Sequence, residues 1–591
     1  MRAWARFGRL LVGLGWEIGA TVFLLYVGLN AVGFVGPLLL AVGLRPLVDG
    51  IVFDNSARVV TGALLTGIAL VLAVVSPAAF RWTTIRLRER SIMVMQRRVL
   101  ILSTRAARLE HFERPEFWDR LQLLQRSSFD LVMGMTLAFV GPLVLVQLGV
   151  TAVLLGRLEP VLLLLPVIAV PASWLAQRAE GLRRDGELRT AESRRTAQHL
   201  FSLASGATPA KEVRVYGLQA ELLERHEQAT GAVHRGTEAA LFRSVALSSV
   251  SWLLFAAAYV GAVVLVLRGA ARGDATPGDV ALTLALVTAL VAGAGRLAEL
   301  SGSALRARTA AEHYYWLDDQ AAAGRGGGQV APPVRLERGI DLDGVTFSYG
   351  ANGHSALTDV DLHLAPGAVV AIVGENGAGK TTLVKLLSAM YTPDAGQVRV
   401  DGIDLATIDL DAYRQRLTAG FQDFMHFEFL TRESVGVGEV SRLDDEHAVQ
   451  AALGKANAGF TGRLPAGLET QLGLRWQDGV DLSGGEWQKL ALARSLFREE
   501  PLLFILDEPT AALDPQTEHA LFEQVAADAR RSQESGRVTV LISHRFSTVR
   551  MADVIVVLDH GRVIEQGSHE ELIASDGLYA ELYELQAYAY R

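Results

Sequence analysis

The sequence predicts two unlike halves: an N-terminal all-α domain of six membrane-crossing helices, and a C-terminal domain of layered α/β structure. Three observations carry that prediction. The first half holds six apolar stretches near or above the ~18–20 residues with which a helix crosses a bilayer. A Gly- and Pro-rich stretch then breaks the helical pattern, and from Ile340 onward short apolar runs alternate with helical segments. Third, a glycine-rich turn from Gly374 to Thr381 is set between an apolar run and a helix-like segment.

The apolar stretches lie at 16–44, 59–80, 131–155, 160–176, 245–267 and 280–301. The first is long enough to hold tilt or a kink at Gly36-Pro37. Two long polar segments, 81–130 and 177–243, carry most of the arginines of this half. Arg81, Arg86, Arg88, Arg90, Arg97 and Arg98 stand in one, and Arg183, Arg184, Arg189, Arg194 and Arg195 in the other. The remaining connections are short, so the positive-inside rule puts both segments and the N-terminus in the cytoplasm. Six spans return the chain to that side. The first fifteen residues hold arginines and no acidic residue. The apolar run after them is too long for a signal peptide and lacks a small-residue cleavage site, so it reads as the first span.

Bulk properties agree. A chain of 591 residues is too long for one core. A mean hydropathy of +0.26 with 50% hydrophobic residues indicates a membrane part. The net charge of -8, with no lysine-rich tail, gives no reason to expect a nucleic-acid partner. The absence of cysteine excludes disulfides and thiolate chemistry. Residues 321–335, with Gly326-Gly327-Gly328 and Pro332-Pro333, read as a linker between a membrane domain (1–320) and a second domain (336–591).

In that second domain Gly374, Glu375, Asn376, Gly377, Ala378, Gly379, Lys380 and Thr381 have the G-x-x-x-x-G-K-[ST] spacing of a phosphate-binding loop. Its glycines let backbone N–H groups converge on phosphate oxygens at a helix N-terminus. Lys380 would neutralise the β- and γ-phosphates, Thr381 would offer a hydroxyl to Mg²⁺, and Thr382 follows on the same turn. The chain is therefore expected to bind a nucleoside triphosphate. The run 502–506 ends in Asp507-Glu508, carboxylates at the end of a strand, where ligands sit in open α/β sheets. Asp507 would hold Mg²⁺ and Glu508 would polarise an attacking water. Ser483, Gly484, Gly485 and Glu486 open a helix and read equally well as an anion site or as a simple capping box.

The order of these elements, phosphate loop, Leu482-Ser483-Gly484-Gly485, strand with Asp507-Glu508, then Ile542-Ser543-His544-Arg545, resembles the ATPase of ATP-binding cassette (ABC) transporters. The half before it resembles the six-helix membrane domain of exporter-type half-transporters from bacteria, so the likeness covers essentially the whole chain. It implies an α/β P-loop NTPase fold, ATP and Mg²⁺ as cofactors, and hydrolysis coupled to transport. By the same resemblance Tyr349 would stack on adenine and Gln422 would sense Mg²⁺. Ser483, Gly484, Gly485 and Glu486 would meet the triphosphate of an opposite subunit, and His544 would bond its γ-phosphate. Ala511-Ala512-Leu513-Asp514 would communicate between two such sites. Residues 206–217 and 117–124 would form the cytoplasmic regions that press on the ATPase near Gln422.

One cassette per chain implies a second half-transporter as partner. A homodimer is expected, because both half-sites are intact, and a heterodimer is left open. One departure stands out: Leu474 occupies the place of a glutamate usual in this family, with Arg475 and Asp478 nearby as substitutes. The expected cargo is an amphiphile, peptide, lipid or natural product, exported across the plasma membrane. Glu17, Asn30, Gln147, Arg296 and Glu299 are candidate substrate contacts inside the spans. Two other readings stay open at this point. One is an importer on the same fold, as in siderophore uptake; the other is a nonhydrolytic protein that uses ATP only to dimerise.

Overall fold

A computed structural model describes residues 2–105, 108–126, 128–206, 209–273, 275–323, 328–350, 355–508, 522–525, 527, 536–543 and 545–589. It divides into two compact units, one of residues 1–102 and 118–318, the other of residues 103–117 and 319–591.

The first unit is helical. Its elements are α1 (Arg2–Val52), α2 (Ser56–Arg105), α3 (Pro115–Arg126), α4 (Ser128–Leu158), α5 (Leu165–Arg189), α6 (Ala191–Ser205), α7 (Ala210–Val215), α8 (Gln219–Arg272) and α9 (Pro277–Ala323). Helices α1, α2, α8 and α9 run for 51, 50, 54 and 47 residues. At 1.5 Å per residue that is about 70–80 Å, more than twice the hydrocarbon core of a bilayer. Hydropathy sees only the apolar part of each. Among the described residues α1, α2, α4, α8 and α9 contain windows long and apolar enough to cross a membrane. The fourth predicted stretch falls on a 3₁₀ turn, Pro160–Leu164, and the start of α5.

The non-helical backbone inside α1 is at Gly19 (φ 114, ψ 107) and not at Gly36-Pro37. A guanidinium N–H of Arg90 donates to the Ile18 carbonyl at 3.2 Å, so a carbonyl beside the break finds a donor. Helices α5 and α8 approach closely through small residues. A Cβ on Gly186 would stand 2.3 Å from that of Ala240, so only glycine fits there.

The second unit carries two sheets. Strands β1 (Ile340–Ser348), β2 (Ser355–Leu364), β4 (Ala395–Val400) and β5 (Ile403–Asp404) form an antiparallel sheet in the order β2-β1-β4-β5. The other sheet has the order β10-β9-β3-β8-β7-β6. Its members are β3 (Val369–Val373), β6 (Leu417–Gly420), β7 (Leu503–Asp507), β8 (Val538–Ile542), β9 (Val554–Asp559) and β10 (Arg562–Gly567). Strands β9, β3, β8, β7 and β6 are parallel neighbours. Every residue of β3, β7 and β8 is buried, as unbroken apolar runs covered on both faces require. Leu383, Val384 and Leu387, on the helix Lys380–Leu387, pack in one core with Ile372 and Leu357. Within the stretch read as a linker, Val330 pairs with Ile408.

Candidate functional site

Four strands of the parallel sheet deliver their C-terminal ends to one edge. The glycine-rich loop follows β3, Asp507-Glu508 closes β7, Ser543 follows β8, and Gln422 stands two residues beyond β6. His544 and the segment 511–514 lie outside the described residues.

The loop needs its glycines for space. A Cβ on Gly374 (φ +151) would lie 2.1 Å from the Leu558 carbonyl oxygen, and one on Gly379 (φ +105) 2.6 Å from that of Ala356. Glu375, Asn376, Gly377 and Ala378 complete the turn, and the Ala378 N–H donates to Glu375 O at 3.2 Å. Lys380 is buried, its ammonium donating to the carbonyls of Gly374 (2.8 Å) and Glu375 (2.9 Å). Burial pulls its pKa down, against the opposing pull of Glu508 and Asp507.

Asp507 is 2% exposed. Burial raises its pKa, opposed by a hydrogen bond with Thr381, while the Glu508 charge adds to the rise. Glu508 takes a left-handed backbone (φ 48), unusual for a residue with a side chain and of the kind met at functional sites. The Gln422 amide donates to a Glu508 carboxylate oxygen at 3.0 Å. Thr381, Gln422 and Asp507 together offer a hydroxyl, an amide carbonyl and a carboxylate, a set of hard oxygen donors that suits Mg²⁺.

Tyr349 stands one residue past β1. Its hydroxyl lies 3.2 Å from that of Thr382, and the Lys385 ammonium lies 5.4 Å from its ring centre. Its ring meets Tyr391 edge-on at 5.5 Å. Tyr391, which the sequence reading overlooked, is gripped from the segment between α2 and α3: its hydroxyl donates to the Glu113 carboxylate, and the Leu109 N–H donates to Met390 O at 3.0 Å. This contact is made at 109–113, against residues 390–392. The region expected to press on the ATPase, 117–124, lies on α3. Glu113 with its neighbours looked like one more charged stretch, and no periodicity set it apart.

Ser483 caps the helix Gly484–Ser495. Its N–H and hydroxyl both donate to Glu486, at 2.9 and 2.8 Å, and these bonds lower the Glu486 pKa. The local structure is thus a capping box. Ser483 and Gly484 remain exposed on its outer side, and Gly485 is half-buried. Leu474 is 73% exposed on the turn before it.

In the helical unit a cavity of about 730 Å³ opens between α1, α2, α8 and α9. It is lined mainly by aliphatic side chains, with Asn30 and Arg296 as its strongly polar members. The Arg296 guanidinium lies 5.1 Å from the centre of the Phe34 ring, and no ion pair joins it to Glu299 among the described residues. Glu17 is taken up elsewhere, in an ion pair with Arg98 at 2.7 Å. Gln147 is buried, its backbone carbonyl accepting from Thr151.

Residues 357–511 match the family model for "ABC transporter". Over 597 aligned residues the chain is 31% identical to an ATP-dependent lipid A-core flippase of Chromobacterium violaceum, covering 99% of this chain and 98% of that protein. It is 37% identical over 262 residues to the subtilin transport ATP-binding protein SpaT of Bacillus subtilis, covering 44% of this chain and 42% of the other. A solved structure of a bacterial Atm1-family ABC exporter with ATP bound superposes with a TM-score of 0.78 at 26% identity, over 96% of this chain and 98% of that one. The chain belongs to the ABC transporter family, as an exporter-type half-transporter whose ATPase drives transport across a membrane.

Proposed function

We propose that the chain works as a homodimer in the plasma membrane, with its N-terminus and cassette in the cytoplasm, and exports an amphiphile. The observation that carries the ATPase part is the convergence of Lys380, Asp507, Glu508 and Gln422 at one sheet edge, with Gln422 bonded to Glu508. In this reading the loop from Gly374 to Thr382 takes the triphosphate and Tyr349 stacks on adenine. Thr381, Gln422 and Asp507 hold Mg²⁺, which when bound draws charge from the phosphate oxygens. Glu508 accepts a proton from the attacking water as its oxygen bonds to the γ-phosphorus and ADP leaves. His544 bonds the γ-phosphate. Ser483, Gly484 and Gly485 of the second copy close the site, with Glu486 holding that turn in shape.

The domain division at 320 and 336 fits this scheme, with residues 103–117 lending a cytoplasmic contact to the cassette. The cavity supports the amphiphile reading, because aliphatic walls with one guanidinium and one amide suit a long apolar body with a polar head. The relatives' names point the same way, to a lipid A-core and to subtilin.

The test is ATPase rate of the purified chain in lipid nanodiscs, with Glu508→Gln as blank, across amphiphilic drugs, hydrophobic peptides and ferric siderophores. Stimulation by amphiphiles or peptides is the expected result. Stimulation by siderophores alone would move the reading to uptake, and no turnover above the blank would replace the homodimer with a pair of different halves.

A further inference from the structure

The helix that starts at Gly484 is held by local devices at its first turn. Besides the capping box, Leu482 and Trp487 flank it at the two positions of a hydrophobic staple, and both are buried in one apolar cluster. The indole N–H of Trp487 donates to Asp481 at 3.5 Å, and the same carboxylate oxygen accepts from the Leu482 N–H at 2.9 Å. The Ser483 turn is thereby anchored to the indole of Trp487.

One further device is not local. The imidazole of His426 lies flat on the Trp487 indole, with ring centres 4.5 Å apart and planes 3° apart, and Phe424 packs beside it at 5.6 Å. His426 is exposed while Trp487 is only 4% exposed, so one ring covers the other. The neighbours of His426 are tied to the same helix. Arg494 donates to Met425 O at 3.2 Å and lies 4.6 Å over the Phe427 ring, and burial lowers its pKa to about 10. Residues 424–427 therefore ride on the helix that bears Ser483. Gln422 stands only two residues before them, bonded to Glu508.

We propose that the His426–Trp487 stack is a positioning device that links the state of Gln422 in one nucleotide site to the attitude of the Ser483 turn, which serves the other. The inference rests on the two-cassette reading above. A shift of Gln422 passes through three residues of chain into a flat ring pair. Tilting such a pair opens one edge of the contact, so the shift reaches the helix start instead of being absorbed in a loose loop. His426 and Trp487 touch no substrate in this scheme. They act through Gln422 and Ser483.

The test uses the full chain in nanodiscs. His426→Ala should lower the maximal ATPase rate about tenfold, the scale of one lost aromatic pair expressed in the transition state. Binding of a fluorescent ATP analogue in the Glu508→Gln background should change less than about twofold, since the phosphate loop is untouched. His426→Phe keeps a flat ring and should restore most of the rate. Independently, the emission of Trp487, taken as the difference between wild type and Trp487→Phe, should change when ATP is added. An unaltered rate in His426→Ala, or a Trp487 emission blind to ATP, overturns the proposal. If His426→Ala does not fold, the emission measurement decides alone. Failure of the underlying reading has its own mark: a Glu508→Gln chain with both rings intact that forms no ATP-trapped dimer, which overturns both.

Discussion

The two units of this chain are specified in different ways. In the helical unit the information is spread over composition. Any apolar side chain of suitable size serves at most positions of α2, where Leu64, Val71 and Val74 are exposed and meet nothing specific in the unit. In the cassette it is concentrated in single atoms. At Gly374 one added carbon would collide with a backbone carbonyl at 2.1 Å, and Lys380 spends its buried ammonium on two carbonyls of its own loop. The lesson is that a bilayer selects for average solubility, whereas a phosphate site selects for geometry. Substitutions should divide accordingly, with large effects at few cassette positions and small ones over most of the membrane helices.

The sharpest tests lie in the cassette. Lys380→Ala removes the buried cation of the phosphate loop. ATP affinity, read by a fluorescent analogue, should fall by about 10³ and turnover to background. Affinity close to wild type would take the phosphate loop out of the comparison. Glu508→Gln keeps the shape of the side chain, so ATP should still bind. Phosphate release should drop by about 10² or more as the base is lost, and size-exclusion chromatography should show an ATP-stabilised dimer. Near-normal release would mean that another group takes the proton.

Besides the Gly186–Ala240 contact, the membrane unit contains a polar site where the comparison should break. Asp49 is buried at the end of α1, accepting from the Gly278 N–H at 2.7 Å and the Thr276 hydroxyl at 3.0 Å. Asp279 beside it pairs with Arg45 at 2.8 Å and accepts from the Thr276 N–H at 2.9 Å. Here the helical unit behaves as the cassette does, with a buried carboxylate held by particular donors. Asp49→Ala should cost about 2 kcal/mol and lower the apparent Tm in detergent, while Val71→Ala, on the exposed face of α2, should leave it nearly unchanged. Equal effects would erase the distinction within the membrane unit.

What was legible in the sequence follows the same division. The loop from Gly374 to Thr381 and the Asp507-Glu508 pair were readable because strand, turn and helix fix their spacing locally. Five of the six apolar stretches fall on helices long and apolar enough to cross a membrane among the described residues, but the full length of those helices was not readable, because polar turns continue α2 and α8 without a hydropathy signal. The break at Gly19 was not readable: what marks it is Arg90, 72 positions away, donating to Ile18. The grip of Glu113 on Tyr391 and the stack of His426 on Trp487 were hidden for the same reason. Each joins residues far apart in the chain, and neither residue type is distinctive where it stands.

The smallest expected effect concerns Arg296, and it tests whether the membrane unit holds positional chemistry beyond its ends. The Arg296 guanidinium stands in a mainly aliphatic cavity, where the Phe34 ring face offers its charge only weak stabilisation. An anionic head group would gain from it, and a cationic one would be repelled. Arg296→Gln should therefore raise the half-stimulating concentration of an anionic amphiphile about three- to tenfold, a change near 1 kcal/mol. The same substitution should leave a neutral amphiphile unmoved and favour a cationic one slightly. ATPase titrations with amphiphiles of one chain length and three head-group charges would read all three. A shift of equal size for every head group would show that Arg296 shapes the cavity without reading charge. The interior of the membrane unit would then be specified by composition alone.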